Sequence, residues 1–212
     1  MTKANRQELV RRGYDAAAER YCASRSQDEN QQHLELFVKQ MPPPARVLDV
    51  GCGCGVPIDR SLVERGYEVI GIDLSPKQIA LAKRFVPGAR FEVRDMLDLA
   101  LREYEVDGVV SFYAIFHTPR EHHGRLLRTL TSFLRPGGVL LVTMGARAAE
   151  GIEPDFHGVP MFWSHYESET NHELMEAAGL QIKVDEIVET ADGECHQILF
   201  ASKSGSSVPG SS

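Results

Sequence analysis

The chain has 212 residues, 42% of them apolar, which fits a single compact domain with one sizeable core. With 23 Lys and Arg against 30 Asp and Glu, the formal net charge of -7 gives no electrostatic ground for a polyanion: nucleic acid is not expected as a partner, and a small-molecule substrate is. No stretch approaches the roughly 18 consecutive apolar residues of a membrane span, and Met1 to Arg12 is polar with no signal-peptide core, so a cytoplasmic protein without membrane association is expected.

In chain order, Gln7 to Tyr21 reads as helical, and Asn30 to Gln40 does so more clearly, with Leu34, Phe37, Val38 and Met41 at i, i+3, i+4 and i+7. Pro42, Pro43 and Pro44 stop it, so residues 1–44 are expected to form an N-terminal helical cap. From residue 45 to 203, short apolar runs alternate with amphipathic segments, the pattern of βαβ units and a mostly parallel sheet. The runs are Val47 to Val50, Glu68 to Ile72, Arg90 to Val93, Val106 to Phe112 and Val139 to Met144. Ser75-Pro76 and Thr118-Pro119 each place a hydroxyl N-cap before a proline at the first helical position. The second of these helices is predicted over Pro119 to Leu134, ended by Pro136-Gly137-Gly138. Residues 145–166 read as an irregular, lid-like insertion with Phe156, Met161, Phe162, Trp163 and Tyr166. Ser168 is expected to cap a helix that Gly179 ends; Leu180 to Val188 and Glu194 to Ser202 follow as strands of a closing hairpin, turned at Ala191-Asp192-Gly193. The Gly/Ser/Pro-rich residues 204–212 are expected to be disordered. Cys22, Cys52, Cys54 and Cys195 are too few and too irregular for a disulfide framework and read as reduced thiols.

The strongest chemical signal is Val47-Leu48-Asp49-Val50-Gly51-Cys52-Gly53-Cys54-Gly55, a buried strand running into a glycine loop before a helix. Glycines let the backbone turn tightly and let a ligand lie against it. About twenty residues on, Asp73 ends the next strand, where an acid accepts the ribose hydroxyls of an adenosine-containing ligand. The dinucleotide fingerprint needs Gly-x-Gly-x-x-Gly, and Val56 stands where its third glycine falls, so NAD is disfavoured. Asp49, just before the loop, repels a pyrophosphate and attracts an ammonium, which favours S-adenosylmethionine (SAM).

These residues resemble the class I SAM-dependent methyltransferases over most of the chain. The resemblance implies an α/β, Rossmann-like three-layer sandwich: a mostly parallel seven-stranded sheet closed by an antiparallel C-terminal hairpin, under an N-terminal helical cap. The family's first motif matches Asp49, Gly51, Gly53 and Gly55, with Cys52 inside it; its ribose acid matches Asp73, followed by Leu74. Asp95 and Met96 take the place of its adenine-contacting pair, although an aspartate there also suits a helix N-cap. The fourth strand's end, which in the family lies beside the transferred methyl, points to Ser111, Phe112 and Tyr113, and Tyr14-Asp15-Ala16-Ala17-Ala18, with Tyr21, looks like the Tyr-Asp-x-x-Ala start of many small-molecule members. Tyr14, Tyr21, Phe112 and His117 complete the expected cofactor contacts. The product is then S-adenosylhomocysteine (SAH).

The expected reaction is in-line displacement at carbon, with the acceptor an oxygen, nitrogen or carbon of a small molecule. His117, His165 and Tyr113 are the candidate catalytic residues; the alternative for His117 is a hydrogen bond at the start of the following helix. Tyr113, Phe156, Met161, Phe162, Trp163 and Tyr166 are the candidate substrate residues, with Phe116 beside them. No metal is expected: adjacent His122 and His123 do not face one side of a helix, and a solvated face is the simpler reading for them. A non-catalytic SAM-binding sensor or partner subunit is the alternative function, and the oligomeric state is open between monomer and homodimer.

Overall fold

The computed structural model describes residues 3–25, 30–189 and 193–205. Among them, helices α1 (Lys3–Ser24) and α2 (Gln31–Gln40) precede β1 (Arg46–Val50), α3 (Ile58–Glu64), β2 (Glu68–Asp73), α4 (Pro76–Phe85) and β3 (Arg90–Val93). Then come β4 (Val106–Ser111), α5 (His123–Phe133), β5 (Leu134–Gly145), β6 (Ala149–Phe156), β7 (Val159–His165), α6 (Ser168–Ala177), β8 (Leu180–Glu189) and β9 (Cys195–Lys203). Seven of the described strands form one sheet in the order β3-β2-β1-β4-β5-β9-β8. β1 to β5 pair in parallel, and β9 runs antiparallel between β5 and β8. The chain builds outward from β1 to β3, then crosses back to β4, so a crevice opens where β1 and β4 end, the usual ligand position in open α/β sheets.

Two-residue alternation gives the sheet two apolar faces. Leu140, Val142, Leu199 and Ala201 face the layer that holds α5 and α6, while Val139, Leu141, Ile198 and Phe200 face α2 and α3. Helix α2 thus belongs to the sandwich, and α1 alone of the N-terminal helices lies over the crevice. Phe37 of α2 is fully buried, and a Cβ at Gly108 of β4 would overlap its ring, so that glycine is needed for the helix to seat. Truncating Phe37 to alanine removes a packing unit of about 3–5 kcal/mol.

Ser75 caps α4 as expected: its hydroxyl accepts the Gln78 N–H at 3.1 Å, ahead of Pro76. Thr118 does not cap. Its hydroxyl donates back to the Ile115 carbonyl at 2.7 Å, and Pro119 leads into a single 3₁₀ turn, Arg120–His122, before α5 starts. That helix ends at Phe133, and Leu134 already pairs with Val106 of β4, so Pro136-Gly137-Gly138 falls inside the strand segment rather than ending the helix. The residue capping α6 is Glu167, with Ser168 its first helical residue. The stretch read as irregular is instead an antiparallel hairpin, β6 and β7, forming its own two-stranded sheet. It packs on α1: a Cβ at Gly13 would lie 2.8 Å from Met161 Cε and 3.3 Å from the Pro160 carbonyl. Of the expected β8–β9 turn, only Gly193 is described, with a left-handed φ of +84°, and Ser206 onward lies outside the described residues.

Candidate active site

At the ends of β1 and β4 lies a cavity roofed by α1, whose Gln7, Val10, Tyr14 and Tyr21 line it from above, with Arg25 just past the helix end. These residues recur at steps of three, four or seven, one face of a helix. Besides this packing, polar tethers hold the roof. Gln7 Nε2 reaches Asp95 Oδ1 at 3.4 Å, Tyr14 Oη lies 2.7 Å from His117 Nε2, and the Ser75 hydroxyl donates to Asp15 Oδ1 at 2.6 Å. Asp15 also accepts the Lys77 N–H at 3.3 Å, so this carboxylate sits on the N-terminus of α4, where the helix dipole favours it.

The glycine loop forms the floor. Gly51, with φ +82°, leaves no room for a Cβ against Ala114, and Gly53, with φ +53°, donates its N–H to Asp73 Oδ2 at 2.9 Å. The other carboxylate oxygen of Asp73 accepts the Ser75 N–H at 2.8 Å. Burial pushes the Asp73 pKa up to about 6, against the pull of those two N–H donors. Cys52, Leu74, Asp95, Met96 and Phe112 also line the cavity. Gly55 does not; with φ +74° it turns the chain beneath the loop, close to Val86, Phe91 and Asp59. Asp95 does cap, its Oδ1 accepting the Leu97 N–H at 2.8 Å, and it faces the cavity as well.

Asp49, on the cavity wall, is 3% exposed, and beside it lies Asp59, fully buried in the first turn of α3. Burial pushes Asp49 up to about 7, partly offset by a hydrogen bond from Asp59, whose own pKa burial and the Asp49 charge raise well above the carboxylate range. Burial therefore keeps both members of the pair protonated to higher pH than an exposed aspartate. Sequence reasoning missed Asp59, although an acid one helical turn after the loop is the signal that finds it. Gln78 was missed as well: it is fully buried by the loop, with neither side-chain atom bonded. Two buried carboxyl groups and the half-buried Asp73 around bare backbone suit a ligand carrying positive charge and disfavour a pyrophosphate. Arg25, stacked over the Tyr21 and Tyr113 rings at 5.6 and 5.3 Å, brings the opposite charge to one end of the cavity.

His117 forms the far wall. Its Nδ1 lies 2.9 Å from the Phe162 carbonyl, which only accepts, so Nδ1 carries the hydrogen and Nε2 accepts from Tyr14. Burial holds its pKa down to about 4, so the ring is neutral. Tyr113 also lines this cavity, at φ +53°, with its hydroxyl donating to Asn30 Oδ1 at 3.2 Å.

Phe116, the neighbour of His117 on the same 3₁₀ turn, faces a second cavity together with Trp163, His165, Arg147, Ile152 and His196. The His117 and Trp163 rings, one lining each cavity, are 4.3 Å apart, so the two spaces meet there. Gly145 makes room for the His165 imidazole, which a Cβ there would overlap, and burial lowers the His165 pKa. The candidate residues of the hairpin therefore separate. Trp163 and His165 line the second cavity, whereas Met161 and Phe162 are buried against α1. Phe156 packs on the rings of Tyr14, Tyr21, His117 and Trp163. Tyr166 lies 6.1 Å from the His123 ring, under Arg120, and lines neither cavity. His123 is fully buried rather than solvated, bonded through Nε2 to the Thr118 carbonyl at 3.2 Å.

The thiol reading needs one correction. Cys22, in the last turn of α1, is disulfide-bonded to Cys54 of the glycine loop across a Cα–Cα distance of 6.1 Å; Cys52 and Cys195 are free. The roof seats these two residues together although 32 positions separate them.

Residues 47–138 match a family model described as a methyltransferase domain. The chain is 33% identical over 127 residues to 2-methyl-6-phytyl-1,4-hydroquinone methyltransferase of Synechocystis sp., covering 58% of this chain and 37% of that protein. It is 40% identical over 103 residues to trans-aconitate 2-methyltransferase of Methylobacterium nodulans, covering 48% and 38%. The chain thus spans well under half the length of these curated relatives. Among solved structures, the Burkholderia thailandensis 1,6-didemethyltoxoflavin-N1-methyltransferase superposes with a TM-score of 0.74 at 18% identity, over 96% of this chain and 91% of that one. Sheet order, glycine loop and matched segment agree: the fold is Rossmann-like, and residues 47–138 are similar to methyltransferase domains.

Proposed function

We propose that the protein binds SAM in the cavity beneath α1 and transfers its methyl group to a small molecule seated in the second cavity. The observation that carries this reading is the buried Asp49–Asp59 pair beside the glycine loop: burial holds these acids protonated, and a cationic ligand beside Asp49 favours its carboxylate. Asp49 faces the ammonium of the methionine part, Arg25 its carboxylate, Asp73 the ribose, and Asp95 with Met96 the adenine. Bound there, SAM supplies an electrophilic methyl carbon with a neutral thioether as leaving group.

The chain contributes positioning and exclusion of water. His117, neutral and engaged at both nitrogens, holds Tyr14 against the cofactor and does not serve as a base. On the acceptor side His165, kept neutral by burial, takes the proton from an O–H or N–H acceptor. Phe116 and Trp163 offer flat apolar walls, and Arg147 a cation for an anionic substituent. The relatives named for a hydroquinone and for trans-aconitate support a small-molecule acceptor.

Calorimetric titration with SAM and SAH, followed by SAH release with a panel of small-molecule acceptors, tests the reading. Binding of both ligands with turnover of at least one acceptor is expected. No heat with either ligand overturns the cofactor assignment; binding without turnover across the panel favours a SAM-binding module.

A further inference from the structure

The roof over the first cavity has one tether unlike the others. Gln7, Asp15 and Tyr14 hold α1 through hydrogen bonds, which thermal opening breaks. Cys22–Cys54 is covalent and joins the last turn of α1 directly to the loop. It lies beside Tyr21, whose ring approaches the Gly53 Cβ position to 3.9 Å, and near Arg25. A ligand that leaves past this end must lift it, and the bond forbids that motion while it exists.

The two sulfurs are unequally placed. Cys54 is 2% exposed on the cavity side, whereas Cys22 is half-buried and opens on a surface depression with Arg60 and Arg84. Two guanidiniums against the one Glu19 carboxylate on that rim suit an anionic low-molecular-weight disulfide. The nearby Cys52 thiol is held protonated by burial and by Asp59, Asp73 and Asp49, which keeps it out of exchange.

We propose that Cys22 and Cys54 form a thiol/disulfide latch on the roof: bonded, they hold the end of α1 down and slow ligand exchange; as two thiols, they release it. In oxidation the Cys22 thiolate attacks an external disulfide and expels one thiolate; Cys54 then attacks the Cys22 sulfur and expels the second. The external disulfide gains two electrons and two protons as two thiols, and a dithiol reverses the reaction. The ligand-exchange part of the inference rests on the cavity being the SAM site.

The test equilibrates the full chain in oxidised or reduced glutathione and counts alkylatable thiols by mass. Two thiols are expected after oxidation and four after reduction. Without ligand, α1 amides from Tyr14 to Ser24 should exchange hydrogen at least tenfold more slowly in the oxidised form. SAH should also dissociate at least tenfold more slowly from it. Cys22→Ser, which leaves the cavity lining intact, should behave as the reduced form in both buffers. Four alkylatable thiols after oxidation, or equal hydrogen exchange in the two states, overturns the latch. Equal SAH release from forms that differ in hydrogen exchange overturns its control of the ligand. No SAH binding in either state overturns the cofactor assignment, while hydrogen exchange still decides the latch.

Discussion

Tyr14 of α1 and His117 of the turn after β4 are joined at 2.7 Å, and because the Phe162 carbonyl fixes the hydrogen of His117 on Nδ1, the tyrosine is the donor. The hydroxyl hydrogen is thereby turned away from the cavity. Tyr14→Phe leaves Nε2 buried without a donor, an expected loss of about 1–3 kcal/mol in stability by denaturant titration. SAH affinity should also fall, by a few-fold. A kcat–pH profile in His117→Gln that matches the parent's would agree with His117 acting through Tyr14 and not as the base.

The Asp49–Asp59 pair predicts proton-linked binding. Asp49 has its pKa raised to about 7 in the free protein, and an ammonium beside it favours the carboxylate, so ligand binding releases protons near pH 7. Affinity for SAH should fall as pH drops from 8 to 6, and calorimetry in buffers of different ionisation enthalpy measures the release. Asp49→Asn should lose at least about tenfold in affinity. Asp59→Asn, which keeps a donor toward Asp49, should bind within a few-fold of the parent.

The same shifts set a slope in stability. Asp49 and Asp73 carry raised pKa values in the fold, so the stability they contribute is complete below about pH 4 and is lost as pH rises through 6 to 7. His117 and His123, lowered to about 4, act in the opposite sense: their contribution is complete above pH 6.5 and is lost as pH falls through 4. Chemical denaturation from pH 5 to 8 should show Asp49→Asn with a less negative, or more positive, pH slope than the parent.

Backbone geometry separates two glycines. Gly51→Ala meets both a left-handed φ and the Ala114 side chain, and should cost more than about 3 kcal/mol or prevent folding. Gly151→Ala has open space around its Cβ and should stay within about 0.5 kcal/mol. Thermal melts of the two variants measure the contrast.

On the acceptor side, His165→Gln should lower kcat at least about tenfold for a hydroxyl or amine acceptor while the SAH Kd stays unchanged. An unchanged kcat would remove His165 from the reaction.

The strands of the main sheet were legible because their apolar periodicity matches burial on one or both faces, and the loop with Asp73 because glycine spacing reports backbone geometry directly. The β6–β7 hairpin was not, since Glu150, Gly151 and Ile152 are exposed and Pro154 interrupts the pattern, so no alternation marks the strand. Tertiary pairs were hidden for a different reason. Cys22 with Cys54, Asp49 with Asp59, and Asp15 with Ser75 meet only after α1, α3 and α4 have packed, and no local rule reports that meeting. The cavity-facing row of α1 was half visible: Tyr14 and Tyr21 were singled out, and extending their helical phase yields Gln7, Val10 and Arg25.

Because β6 and β7 hydrogen-bond to each other and form a sheet separate from the seven-stranded one, replacing side chains on this hairpin alters the acceptor's surroundings without shifting the register of any strand that carries the cofactor loop. Under the proposed function, Gly151, Ile152, Trp163 and His165, which line the second cavity, are the positions to exchange for a new acceptor, whereas Met161 and Phe162, packed on α1 and His117, stay fixed.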